Sequence, residues 1–217
     1  MHKQLTGLYA ITDANQTDHA QLIFDVKQAL LGGARIIQYR DKSTDHAQRL
    51  ISARQLRQLT DEHGAIFIIN DDVQLAQTVQ ADGVHLGKDD ARIEAAREIL
   101  GTEAIIGVSC YNRFDLAQQS AKAGADYVAF GRFFPSGTKP DATPADIELL
   151  HRAKNNLSSP IVAIGGITGE NADILINAGA DMVAVMGGLF DQADIEKSAR
   201  QLQQLFESQP AQSRLRE

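Results

Sequence analysis

The chain has 217 residues, 43% of them hydrophobic, and its 21 basic against 28 acidic side chains leave a formal charge of −7. That size and apolar share allow one substantial core and exclude a disordered chain or a repeat array, while the negative balance argues against a broad nucleic-acid footprint, which needs basic residues massed on one face. No apolar run approaches the roughly 20 residues of a membrane-spanning helix, Met1-His2-Lys3-Gln4-Leu5 lacks the apolar core of a secretory signal, and the single cysteine, Cys110, can form no internal disulfide, so a cytoplasmic protein is expected.

The first predicted strand, Leu8 to Thr12, leads into a helical pattern with Leu22, Val26, Ala29 and Leu30 at three- and four-residue spacing. A second strand, Arg35 to Arg40, ends in Gln38-Tyr39-Arg40-Asp41-Lys42, with Ser43 as the expected start of a helix carrying Leu50, Ala53, Leu56 and Leu59. The third, Ala65 to Asn70, is followed by Asp71-Asp72, and the fourth, Asp82 to Leu86, by Gly87-Lys88-Asp89-Asp90. Strands five and six are Ala104 to Ser109 and Asp126 to Gly131, and the latter opens a long polar connection from Arg132 to Asp141. Thr143-Pro144 is the expected cap and first residue of the next helix. The seventh strand, Ile161 to Gly165, runs into Gly166, with Thr168 before Glu170 as a helix start, and the eighth, Asp181 to Met186, runs into Gly187-Gly188.

Eight strands alternating with helices imply parallel pairing through right-handed crossovers. The predicted fold is a single α/β domain, a closed (β/α)8 TIM barrel over residues 1–208 with a polar tail at 209–217. An open doubly wound sheet is the second choice, weakened because no dinucleotide glycine fingerprint follows the first strand. Three segments share a pattern that closes a helix and launches a strand: Gln80-Ala81-Asp82-Gly83-Val84, Gly124-Ala125-Asp126-Tyr127-Val128 and Gly179-Ala180-Asp181-Met182-Val183.

In such a barrel, functional groups belong at the C-terminal ends of the strands. Gln38, Arg40 and Lys42 are two apart and share a face while the chain stays extended. They offer a heterocycle partner, a planar fork for phosphate oxygens and a mobile point charge. Asn70-Asp71-Asp72 and Asp89-Asp90 bring carboxylates from adjacent strand ends, as Mg2+ shared with substrate phosphates requires; one aspartate of each pair can instead cap the helix that follows. Ser136-Gly137-Thr138-Lys139 reads as a closing loop over anionic groups, and Gly165-Gly166 and Met186-Gly187-Gly188 offer backbone amides where barrels often bind a phosphate. His85 alternates with Val84 and Leu86 and could approach this site, but a hydrogen-bonded core histidine is the preferred reading, and Cys110 is expected to be a packing residue.

The strings Gln38-Tyr39-Arg40-Asp41-Lys42, Asn70-Asp71-Asp72-Val73, Asp82-Gly83-Val84-His85-Leu86-Gly87, Gly107-Val108-Ser109, Pro135-Ser136-Gly137-Thr138-Lys139 and Ile164-Gly165-Gly166-Ile167 resemble, in this order, those of the thiamine-phosphate synthase family. The resemblance implies a transferase that joins hydroxymethylpyrimidine diphosphate to a thiazole phosphate, releasing pyrophosphate. It assigns Gln38, Arg40, Lys42, Asn70, Ser109 and Lys139 to the pyrimidine diphosphate, and Asp71 and Asp90 to Mg2+. Ser136, Thr138, Gly166 and the backbone at Met186 and Gly187 go to the thiazole phosphate, with Tyr39, Asp41 and Gly137 inside the same binding motifs. Arg40, Lys42 and Lys139 are the expected catalytic cations. Serine stands at Ser136 where the family commonly has threonine, and glycine at Gly187 where serine is common. A thiazole tautomerase-like paralogue and a non-catalytic thiamine-phosphate-binding barrel are the alternatives. Only small-molecule partners are expected, with no nucleic acid and no membrane; the oligomeric state stays open, a homo-oligomer included.

Overall fold

The computed structural model describes residues 4–12, 18–87, 92–135 and 143–208. Eight parallel strands close into a barrel in sequence order: β1 (Gly7–Ile11), β2 (Ile36–Tyr39), β3 (Ile66–Asn70), β4 (Gly83–Leu86), β5 (Ile105–Tyr111), β6 (Tyr127–Phe130), β7 (Ile161–Ile164) and β8 (Met182–Val185). β8 returns to β1 with Leu8 opposite Val183, which seals the sheet and leaves no open edge. Helices α1 (His19–Leu31), α2 (His46–Glu62), α3 (Val73–Thr78), α4 (Ile93–Leu100), α5 (Phe114–Lys122), α6 (Glu148–Asn156) and α7 (Ala172–Asn177) connect successive strands, and α8 (Gly187–Phe190) and α9 (Ile195–Glu207) follow the last. No described helix is long and apolar enough to cross a membrane. The predicted strands are all present, each within two residues of its expected bounds, because β-branched runs between helical periodicities leave little freedom of assignment.

Strand alternation divides the core in two. Tyr9, Ile11, Ile36, Ile66, Ile68, Tyr127, Val162 and Met182 fill the barrel, while Leu8, Ile37, Phe67, Ile69, Val84, Val128 and Val183 point outward against the helices. Cys110 belongs to the outer layer, where burial pushes its thiol up to about 12. A thiol reagent at neutral pH is expected to modify it only after denaturant unfolds the chain, as a colorimetric titration would record.

The recurrent launch segments share one physical device. Gln80, Gly124 and Gly179 occupy the left-handed region that ends a helix. The aspartate two residues later accepts the first free amide of the preceding strand: Asp82 from Phe67 N at 2.7 Å, Asp126 from Ile106 N at 2.7 Å and Asp181 from Ile161 N at 3.0 Å. Each is also paired with a cation from a neighbouring helix, Arg57 at 2.8 Å, Arg97 at 2.7 Å and Lys154 at 2.5 Å. Gln203 of α9 does the same for β1, its Oε1 accepting from Leu8 N at 2.9 Å. These contacts tie helices to the N-terminal end of the barrel. Removing one strands a strand amide and an arginine, so Asp82→Ala is expected to lower unfolding free energy by about 2 kcal/mol in urea titrations, leaving the rim chemistry unchanged.

Three helix starts differ from expectation. α2 begins at His46, not after Ser43, because Asp41 Oδ1 accepts from Ser43 N at 2.7 Å and holds a turn there, while Asp45 caps the helix through Gln48 N. α6 begins at Glu148, not at Pro144, because Ala145 N donates to Arg132 O at 2.8 Å and keeps that stretch extended against the sixth connection. α7 begins at Ala172, since Thr168 Oγ1 receives only Glu170 N at 3.3 Å in a turn and Asn171 is the capping position.

Candidate active site

Because every strand is parallel, all eight C-terminal ends lie on one rim. At β2, Thr12 N donates to Gln38 O, and the Thr12 hydroxyl both accepts from Arg40 N at 2.9 Å and donates to Arg40 O at 3.3 Å. This clamp extends the strand's geometry past Tyr39, and it keeps Gln38 and Arg40 on the inner face. Gln38 is buried inside the barrel and Arg40 is half-buried at its end. Tyr39 and Asp41 point elsewhere: the Tyr39 ring packs in the outer layer, and its hydroxyl donates to Asp41 Oδ2 at 2.9 Å. Burial alone would raise the Asp41 carboxyl, but hydrogen bonds from Ser43 and Tyr39 and the charge of Arg49 hold it below the usual carboxylate range. Both residues therefore shape the strand exit and are not gathered with Gln38 and Arg40.

At β3 the two aspartates divide their tasks. Asp72 caps α3, accepting from Leu75 N at 2.9 Å and from Arg49 Nη2 at 2.8 Å. Asp71 lies in the left-handed region with φ 62°, half-buried, and forms an ion pair with Lys42. Such a conformation in a non-glycine residue costs of order 1 kcal/mol and turns the side chain out of the strand's alternation. Asn70, opposite His85 in the β3–β4 register, points inward. On β5 the register slips between Ser109 and Tyr111, so the strand bulges at Cys110 as it reaches the rim. Ser109 faces the barrel interior, 2.8 Å from His85 Nε2.

Gly165 and Gly166 form a close seat for the sixth connection. A Cβ on Gly165 would collide with Arg132, and one on Gly166 would lie 2.8 Å from the carbonyl carbon of Phe134 and closer still to Pro135 O. Phe134 N donates to Gly165 O at 3.0 Å. The two glycines thus serve packing between connections as well as exposing backbone. Asn171, which sequence reading missed, donates from Nδ2 to Gly166 O at 3.0 Å and accepts Thr168 N at 2.9 Å, fixing this turn. After β8, Met186 precedes α8, whose first amides, Gly187 and Gly188, have no partner within the helix. Lys88, Asp89, Asp90 and the segment Ser136, Gly137, Thr138 and Lys139 lie outside the described residues. No group of three metal-ligating side chains occurs among the described residues.

Below the rim, the barrel holds polar groups that composition could not single out. Tyr9, Tyr127 and His85 join Gln38 and Ser109 in an unbroken set of hydrogen bonds. His85 is thus hydrogen-bonded in the core, as expected, and also reaches the rim through Ser109. The only local signal for the tyrosines was their inward register on β1 and β6.

The model of the thiamine monophosphate synthase family matches residues 8–189. A thiamine-phosphate synthase of Thioalkalivibrio sulfidiphilus is 52% identical over 205 residues, covering 94% of this chain and 97% of that protein. The Methylobacillus flagellatus thiamine-phosphate synthase is 54% identical over 202 residues, covering 93% and 96%. Among solved structures, a thiamine phosphate pyrophosphorylase from Pyrococcus furiosus superimposes with a TM-score of 0.85 at 37% identity, covering 93% of this chain and 96% of that one. With the family model spanning most of the barrel and relatives matched along nearly their whole length, the chain belongs to the thiamine monophosphate synthase family.

Proposed function

We infer, from the family and the make-up of the rim, how this chain condenses an aminopyrimidine diphosphate with a thiazole phosphate to give thiamine phosphate and pyrophosphate. The observation that carries the reading is the arrival of Gln38, Arg40, Asn70, Asp71 and Ser109 at the same barrel end as the Gly165–Gly166 and Gly187–Gly188 backbone. The substrates are 4-amino-2-methyl-5-hydroxymethylpyrimidine diphosphate and 4-methyl-5-(2-hydroxyethyl)thiazole phosphate or its carboxylated tautomer. Gln38, Asn70 and Ser109 hold the pyrimidine, and Arg40, Lys42 and Lys139 hold its diphosphate. Ser136, Thr138, Gly166 and the backbone of Met186 and Gly187 hold the thiazole phosphate, with Gly137 in the same binding motif.

Asp71 suits Mg2+: it is a hard oxygen donor turned out at a strand end, with the Lys42 ammonium beside it. Asp90 is the second carboxylate assigned to the ion. Mg2+, when bound, supplies positive charge to the diphosphate oxygens. The residues of the chain do the rest. Arg40, Lys42 and Lys139 stabilise the departing pyrophosphate as its bond to the pyrimidine methylene carbon breaks. The bonding pair leaves with the phosphate oxygen, the electron-rich ring spreads the positive charge left on carbon, and the thiazole nitrogen donates its lone pair to form the new C–N bond. No protein nucleophile takes part; the rim holds the two reactants in register.

A tautomerase-like or non-catalytic barrel would need neither Asp71 nor the diphosphate cations and is not favoured. Mixing both substrates with and without Mg2+ and following pyrophosphate tests the reading. Lys139→Ala is expected to reduce release about a hundredfold or more, since it removes a charge that acts on the leaving group. Unchanged release would remove that lysine from the mechanism.

A further inference from the structure

The structure assigns to Tyr9, Tyr127 and His85 a positioning role: their buried hydrogen-bond chain makes Gln38 and Ser109 present opposite hydrogen-bonding polarity to a ligand at the rim. The chain runs from Gln38 Nε2 to Tyr9 Oη at 2.6 Å, on to Tyr127 Oη at 2.7 Å, then to His85 Nδ1 at 3.0 Å, and from His85 Nε2 to Ser109 Oγ at 2.8 Å. The residues come from β2, β1, β6, β4 and β5, so the chain crosses the barrel from one side to the other.

Each phenol owns one proton and can donate only once. Both stay protonated, because burial pushes the Tyr9 and Tyr127 hydroxyls well up from their ordinary range. With the Gln38 amide nitrogen donating to Tyr9, Tyr9 must donate to Tyr127, and Tyr127 to His85 Nδ1. His85 then carries its proton on Nε2 and donates to Ser109, whose own hydroxyl proton is left for the ligand. The Gln38 oxygen, turned away from Tyr9, is left as an acceptor. Rotating the Gln38 amide reverses every link at once, and Gln38 would then donate to the ligand while Ser109 accepted. Opposite polarity requires a singly protonated imidazole: a doubly protonated ring would donate from both nitrogens, Tyr9 would donate to a rotated Gln38 amide, and both ends would be left as donors.

In either direction one end donates and the other accepts. That is the pattern on the edge of a 4-aminopyrimidine, where an amino group that donates adjoins a ring nitrogen that accepts. The rings are also locked mechanically: His85 stacks on Tyr127 with centroids 5.6 Å apart, and Tyr9 meets Tyr127 edge-on at 5.9 Å. This inference rests on the assignment of Gln38 and Ser109 to the pyrimidine, and it adds the groups that set their polarity.

Nitrogen-15 NMR of the ligand-free full chain, labelled in histidine, reads the chain directly. His85 is expected as a single Nε2–H tautomer, and Tyr127→Phe, which cuts the middle link, is expected to yield a mixture of tautomers. In the same variant the KM for the pyrimidine diphosphate should rise roughly tenfold, the loss of about one well-placed hydrogen bond, with the KM for the thiazole phosphate unchanged. A purely structural tyrosine would lower the melting temperature without moving the histidine signals or splitting the two KM values. A mixture of tautomers or a doubly protonated ring in the wild type would overturn the proposal, as would unaltered histidine signals and KM in the variant; a single Nδ1–H tautomer would report the reversed direction, with the same opposite polarity at the two ends. If Tyr127→Phe does not fold, Tyr9→Phe carries the same test one link away. The NMR measurement needs no substrate, so absence of pyrophosphate release would sink the transferase mechanism alone, whereas a mixed or doubly protonated ring with normal turnover would sink the chain alone.

Discussion

Replacing Asp71 with asparagine or alanine is expected to slow pyrophosphate release about a hundredfold or more while the melting temperature moves by only a few degrees. Several observations set this direction. Asp71 is turned out at φ 62°, it pairs with Lys42, and the capping of α3 is carried by its neighbour Asp72, so its removal takes away charge without undoing a helix. Asparagine is the sharper probe, because it tolerates the left-handed region and keeps the side-chain shape. If asparagine is as damaging as alanine, the negative charge is what the rim needs. Steady-state release measured across a Mg2+ titration should show the deficit persisting at saturating metal. Near-normal release from Asp71→Asn at every Mg2+ concentration would remove Asp71 from the site.

Gly107→Ala is expected to be strongly destabilising although it adds a single carbon. Gly107 sits on β5 opposite His85 on one side and Tyr127 on the other, facing the barrel interior. A Cβ there would fall within the Tyr127 ring, against Cζ, Cε2 and Oη. Tyr127 is fully buried, stacked on His85 and bonded to Tyr9, so it has nowhere to retreat. Overpacking of this kind costs about 3 kcal/mol or more, and it should appear as a clear drop in the urea midpoint. Activity at low temperature should fall further than stability accounts for, because displacing Tyr127 also breaks the link to His85. A Gly107→Ala variant with wild-type stability would mean that the ring has space which the register denies it.

Much of this was legible in the residues. The eight strands could be placed from runs such as Ile66-Phe67-Ile68-Ile69 between helical periodicities, and parallel closure followed from the alternation. The segments carrying Gln38, Arg40, Asn70, Asp71, Ser109 and Gly166 stood out because polar groups abruptly end apolar runs. The helix starts after Ser43 and before Glu148 were harder, since serine and proline signal a turn without saying which later residue will cap. There, contacts made elsewhere, Asp41 with Ser43 N and Ala145 with Arg132 O, decided where coiling begins. Tyr39 and Asp41 stand within the binding motif but point into the outer layer, which the alternation of Gln38, Tyr39 and Arg40 already foreshadowed.

By itself the sequence determined the class of fold, the order of the strands and which segments reach the rim, because hydrophobic periodicity and turn chemistry act over a few neighbouring residues. Only the tertiary structure decided that Tyr9 meets Tyr127 across a separation of 118 positions, that Gln203 closes β1, and that Asp82, Asp126 and Asp181 each hold the strand before their own. Those partnerships depend on the stagger of a closed barrel, which is set by all eight strands packing together and is not encoded in any one of them.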